Sequence, residues 1–211
     1  MEEWGSSVLN MVAVSMAVIA FIFYMNRLLG LVPYLFDGIL RSSPLANIEA
    51  SVRLTRDRNA LAGIAVFALC LLASRYDVYD ADFLVIFQPG IKTLVVTGVL
   101  LGALLLRVAL VHLCAPRRRD NYIFAASTLY DFLIVGALLC GIAAGLLAIF
   151  GANDTAIRTV MIYVSGLVWG LFLIRRTQIL GGSCSLPMTI LYVLILEIIP
   201  AGALVASAIL F

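Results

Sequence analysis

Three ionisable residues, Arg107, Asp131 and Glu197, stand inside otherwise apolar runs, and they are the groups with which this chain would do chemistry in a hydrophobic medium. A charged side chain at the middle of such a run costs about 2.5–3.5 kcal/mol even on the gentlest scale, so each needs a partner or a purpose. Arg107 lies about 10 Å before the end of the third apolar run, and Asp131 about 13 Å into the fourth. A hairpin turning at residues 116–120 brings the two to similar depth, where a pair between them would either pin two neighbouring helices in register or gate a transport path. Glu197 lies about 18 Å into the last run, and Arg107 is the one basic residue expected at comparable depth. It is therefore either protonated or paired with Arg107. Pro200 follows and removes the amide that would bond the Leu196 carbonyl, so an open acceptor and an acid coincide. Two readings stand: a neutral carboxyl hydrogen-bonded to a facing helix, or a proton or cation site at a broken helix. Thr189 and Tyr192 precede Glu197 on the same polar stripe, and His112 reads as an interfacial hydrogen bonder.

The elements that must hold these groups are membrane spans. Of 211 residues, 64% are hydrophobic and only 12% charged, with a mean hydropathy of +1.11. Soluble domains are about 45–50% apolar with about a quarter of residues charged, which excludes that class. Six segments are long enough to cross about 30 Å of hydrocarbon: residues 7–25, 56–76, 91–114, 122–150, 156–174 and 186–210. The fold expected is an all-α polytopic membrane helix bundle, a single transmembrane domain over 1–211. The first span lacks the basic leader of a cleavable signal peptide, with Glu2 and Glu3 in its place.

Orientation follows from the arginines, because positive loops stay on the cytoplasmic side. Arg27, Arg41, Arg53, Arg56, Arg58, Arg117, Arg118, Arg119, Arg175 and Arg176 fall on one side of the bundle. Only Arg75, Lys92 and Arg158 fall on the other, so the arginine-rich side is read as cytoplasmic and both termini as periplasmic. In the segment 27–59, Ser43 and Pro44 mark a helix start, with Leu45, Ile48 and Val52 at helical spacing. This short amphipathic helix either lies in the cytoplasmic interface or leads into the second span as one bent rod. Between the second and third spans, residues 83–87 are an apolar run too short to cross, expected at the opposite interface.

Gly98 and Gly102, Gly141 and Gly145, and Gly166 and Gly170 place small residues four apart in three spans, where helix backbones approach closely. They predict helix packing within the bundle or against a partner's helix. The four cysteines have no paired spacing and read as packing residues, and neither a metal nor a cofactor is expected. A net charge of +2 argues against nucleic acid as a partner. Membrane lipids and a membrane-protein partner or second copy are the partners expected.

The C-terminal stretch carries a resemblance. Arg175-Arg176, Gln178-Ile179-Leu180, Ser185-Leu186, Ile190-Leu191-Tyr192 and Leu196-Glu197-Ile198-Ile199-Pro200 resemble the end of an uncharacterised family of multi-span inner-membrane proteins from the Bacteroidota. The resemblance covers roughly the last forty residues, implies a Gram-negative inner membrane, and directs attention to Tyr192, Glu197 and Pro200. It implies no activity. Three functions are therefore weighed, the first being a non-enzymatic subunit or assembly factor of a larger membrane complex. The second is a small proton- or ion-coupled transporter using Glu197, Arg107 and Asp131. The third is an enzyme acting on lipid headgroups held by the basic face at Arg117, Arg118, Arg119, Arg175 and Arg176. That last reading lacks a nucleophile with a base beside it, so the balance is against an enzyme.

Overall fold

The computed structural model describes residues 4–40, 48, 50–79, 81–113, 120–182 and 185–210. Six helical spans, each long and apolar enough to cross a membrane, make this an all-α, multi-pass membrane protein. They are α1 (Val8–Leu40), α2 (Val52–Arg75), α3 (Pro89–Leu113), α4 (Asp120–Ile149) and α5 (Asp154–Gly181), followed by a broken sixth. The sixth runs as α6 (Leu186–Val193), a π-helical turn (Leu194–Ile198) and α7 (Ile199–Leu210).

Local chemistry sets the helix starts. Ser51 caps α2 by accepting from the Leu54 amide, and Asn153 caps α5 by accepting from the Ala156 amide at 2.9 Å. Between α4 and α5 the chain reverses through Gly151, whose φ of 73° favours glycine. Most side chains of α1 and many on the other spans are exposed and apolar, as a lipid-facing surface requires. The starts of α1, α3 and α5 and the end of α2 meet at one end of the bundle. There the Trp4 indole donates to Ser74 at 3.2 Å, Lys92 pairs with Asp77 at 2.6 Å, and Tyr79 bonds Ser207 near the end of α7 at 2.8 Å. This is the acidic end, and the arginine-rich end lies opposite.

Two helices run further than their apolar cores. The apolar run of the first span ends at residue 25, yet α1 continues to Leu40. Leu28, Leu31 and Leu35 keep helical spacing there and pack against Leu61, Ala62 and Ala65 of α2 and Ile134 and Val135 of α4. Arg27 ends the lipid-facing stretch without ending the helix, because Asp57 of α2 pairs with it and the Tyr24 ring lies 5.3 Å from its guanidinium carbon. In the same way α5 continues to Gly181 through Arg175 and Arg176, past the boundary expected at 174. Ser43, Pro44 and Leu45 of the expected amphipathic helix lie outside the described residues. Ile48 is fully buried in the core with Leu28 and Leu61, and its carbonyl accepts from Thr55. Between α2 and α3 a 3-10 turn (Asp82–Ile86) buries Leu84 against Tyr79 and Val96 while leaving Val85 and Ile86 outside.

The glycine pairs do not do what helix packing inside the bundle would ask of them. A methyl group added at Gly98, Gly102, Gly141, Gly145, Gly166 or Gly170 meets nothing within 4 Å. Within this chain the α4–α5 contact is instead made by larger side chains, with Cys140 and Ala144 against Ile157 and Met161. A methyl at Gly136 would meet Val168 at 3.5 Å, ordinary contact at that same interface.

Candidate functional site

Glu197 stands in the π turn of the sixth span and is buried. Across that turn the Ile199 amide bonds the Leu194 carbonyl, an i to i+5 link that widens the helix just before Pro200, which has no amide to give. Arg107 of α3 donates through Nε to Glu197 Oε1 at 2.9 Å and Oε2 at 3.0 Å, and through Nη2 to Oε1 at 2.7 Å. Arg176 of α5, with no exposed surface, forms a second ion pair with the same carboxylate. The converging directions follow from helix geometry. Side chains lean toward their helix N-terminus, so the arginines of α3 and α5 lean inward from the arginine-rich end. Glu197, on a helix of opposite direction, leans back to meet them.

An aromatic ring organises the two cations. Phe172, one turn before Arg176, lies 5.7 Å from the Arg107 guanidinium carbon and 5.9 Å from that of Arg176. Phe132 of α4 meets Phe172 edge-on at 5.7 Å. Each guanidinium thus faces the negative face of a ring as well as a carboxylate, a favourable setting where water is scarce.

A second charged cluster sits beside the first. Asp131 of α4 pairs with Arg58 of α2 at 3.9 Å, both buried. Arg58 also donates to Asn59 through Nε and Nη2 at 3.2 and 3.1 Å, and its guanidinium lies 5.7 Å from the Tyr130 ring. Asp131 and Glu197 each lie eleven residues into a helix that starts at the arginine-rich end, about 16 Å along it. The two acids therefore share a depth, joined laterally through Phe132 and Phe172.

The arrangement sets Arg107 on Glu197, the partner the sequence also allowed, and sets Asp131 beside Arg58. Arg107 reaches the sixth span at Glu197, and Asp131 meets Arg58 of α2, which neither residue's depth along its own helix specifies. Of the two alternatives for Glu197, the ion pair with Arg107 is the one present. Arg176 is corrected: it lies inside the bundle rather than on a basic face, whereas Arg175 is partly exposed and donates to Gln178 at 2.6 Å. Arg117, Arg118 and Arg119 lie outside the described residues, as does the side chain of His112. Tyr192 is half-buried, packed with Val111, Leu180 and Leu196. Thr189 is buried, its hydroxyl donating back to the Ser185 carbonyl at 3.3 Å.

Phe172 has no place in the sequence reading, and Arg58 and Arg176 have one only as basic residues of the arginine-rich side, yet the sequence carries a signal for their burial. The buried residues of α5 are Ile157, Met161, Val168, Phe172, Arg176 and Leu180, a stripe at helical spacing with the arginine on it. Arg58 likewise shares a stripe with Leu61, Ala62 and Ala65. Among the described residues no group of three or more metal-ligating side chains comes together. No family model matches the chain, and no curated protein or solved structure matches it.

Proposed function

We propose that this chain is a non-enzymatic helical subunit or assembly factor of a larger membrane complex. The observation that carries the reading is the outward placement of the glycine pairs. Gly98 and Gly102 on α3, Gly141 and Gly145 on α4, and Gly166 and Gly170 on α5 have open space where a side chain would be. In lipid such positions let another helix approach backbone to backbone, and among the described residues no helix of the chain uses them. The buried arginine–carboxylate clusters fit the same role, since they hold α2 to α4 and α3 to α5 and the sixth span, giving partners a fixed surface. The arginine distribution supports a cytoplasmic arginine-rich end with both termini periplasmic, and the C-terminal resemblance supports a bacterial inner membrane.

The test is extraction of the tagged chain from its native membrane in mild detergent, with measurement of particle mass and of everything recovered in stoichiometric amount. A defined assembly is expected, and Gly102→Leu, Gly145→Leu or Gly170→Leu should release it while the chain itself stays folded. A lone monomer would overturn the reading. One observation favours a second reading, a proton- or ion-coupled transporter: Glu197 stands in a π turn before Pro200, where a helix is easily remodelled. Glu197→Gln would then abolish coupled transport in vesicles, whereas a subunit would lose only stability.

A further inference from the structure

A cavity of about 630 Å³ opens at the acidic end, far along the helices from Glu197. It lies among the N-terminal 3-10 turn, the end of α2, the loop into α3, and the first turns of α3 and α5. Its walls present three cations, Arg75, Lys92 and Arg158, and two acids, Asp77 and Asp154. We propose that this cavity binds a phosphate group, either free or as the ester of an amphiphile.

The cations are held for such a ligand. The Arg75 guanidinium carbon lies 5.9 Å from the Trp4 ring and 5.3 Å from that of Tyr76, so its direction is set by two aromatic rings. Its ion pair with Asp154, at 3.3 Å, has side chains 41% and 64% exposed. A water-screened contact of this kind holds its partners weakly and yields readily to a phosphate oxyanion. Lys92 is fixed at 2.6 Å by Asp77, whose left-handed φ of 49° turns the chain at the end of α2. At the same wall, Ser74 is buried, bonded to Thr93 Oγ1 at 2.7 Å and to the Trp4 indole.

The wall bearing Trp4 depends on a close approach. A methyl group at Gly90 would come within 2.7 Å of Ser7 Oγ, so glycine there lets the start of α1 lie against the start of α3. The opposite lip is apolar, with Val85 and Ile86 of the 3-10 turn 74% and 85% exposed beside the cations. Clustered cations beside an exposed apolar lip at the end of the spans suit a phosphate carried on a lipid backbone. The volume falls within the roughly 300–1,000 Å³ common for small-ligand sites.

The sequence has two tryptophans, so Trp169→Phe leaves Trp4 as the sole indole reporter inside the site. The full chain carrying that change is placed in micelles of a neutral, phosphate-free glycosidic detergent with increasing phosphatidylglycerol. In parallel it is titrated in neutral detergent with inorganic phosphate and glycerol 3-phosphate at constant ionic strength, with chloride as reference. A saturable change in Trp4 emission is expected, with half-saturation weakened about tenfold in Arg75→Gln and in Arg158→Gln, the loss of one charge-assisted hydrogen bond. A response to phosphatidylglycerol alone assigns a lipid headgroup, and a response to inorganic phosphate assigns a free phosphate. Absence of a saturable response to either, a chloride curve identical to the phosphate curve, or unchanged curves in well-folded arginine variants overturns the proposal. The titration of the chain with both arginines intact decides the matter even if those variants fail to fold.

Discussion

Arginine meets carboxylate both midway along this bundle and at its acidic end, with opposite physical meaning. Around Glu197 the pair is dry: the side chains of Arg107 and Glu197 keep only 9% and 4% of their exposure, and Arg176 keeps none. At the acidic end, Arg75 and Asp154 form the same kind of pair in contact with water. Removing one partner from a dry pair strands a charge where nothing solvates it, whereas a wet pair hands its partners to water. The dry clusters therefore hold helices, and the wet one is free to exchange its partner for a ligand.

The largest effect should come from Glu197→Gln. Two guanidiniums from α3 and α5 would then face a neutral amide, and the expected loss is about 3–5 kcal/mol, the cost of breaking a buried pair from one side. Thermal unfolding of the purified chain in detergent should show a large fall in midpoint, or the chain should fail to accumulate. A shift as small as that of an exposed pair would end the contrast between the two regions. Arg107→Met should follow, and Arg176→Met should cost less, about 1–3 kcal/mol, because Glu197 keeps the three hydrogen bonds from Arg107. Equal shifts for the two arginine variants would mean that the carboxylate leans on both alike. Asp131→Asn should be milder again, about 1–2 kcal/mol, since its contact with Arg58 is long and Arg58 retains Asn59 and the Tyr130 ring.

The six spans were legible because hydrocarbon thickness imposes a length that composition alone reveals. Their ends were less so, and the cause is visible at Arg27 and Arg175. A charge marks where lipid contact stops, but helical hydrogen bonding continues wherever another helix supplies a partner, as Asp57 does for Arg27. Depth along a helix was also legible, which is why Arg107 and Glu197 stood out. Facing direction was not, because depth carries no angular information, and the contact of Asp131 with Arg58 of α2 could not be read from it. The stripe from Ile157 to Leu180 holds that angle, and reading Arg176 on it required treating an arginine as an interior residue. The cavity at the acidic end was invisible for a different reason: its walls come from four separated segments, and no local pattern joins Trp4 to Arg158.

Asp154→Asn should give the smallest effect on stability and thereby sharpen the contrast most. The change removes the exposed partner of Arg75 and one negative charge from the first turn of α5, where an acid favours the helix dipole. Together these predict a loss below about 1 kcal/mol, reduced further by salt. Asn153 still caps the helix through its own side chain, so the fold of that turn is kept. For a phosphate at the cavity the sign reverses, because Arg75 no longer divides its charge between the ligand and an acid. Trp4 emission in the Asp154→Asn, Trp169→Phe chain should saturate at several-fold lower phosphatidylglycerol or phosphate than with Asp154 present. Weaker binding in a chain that melts normally would mean that Asp154 positions Arg75 for the ligand instead of competing for it, and the exchangeable pair would then be part of the site's scaffold.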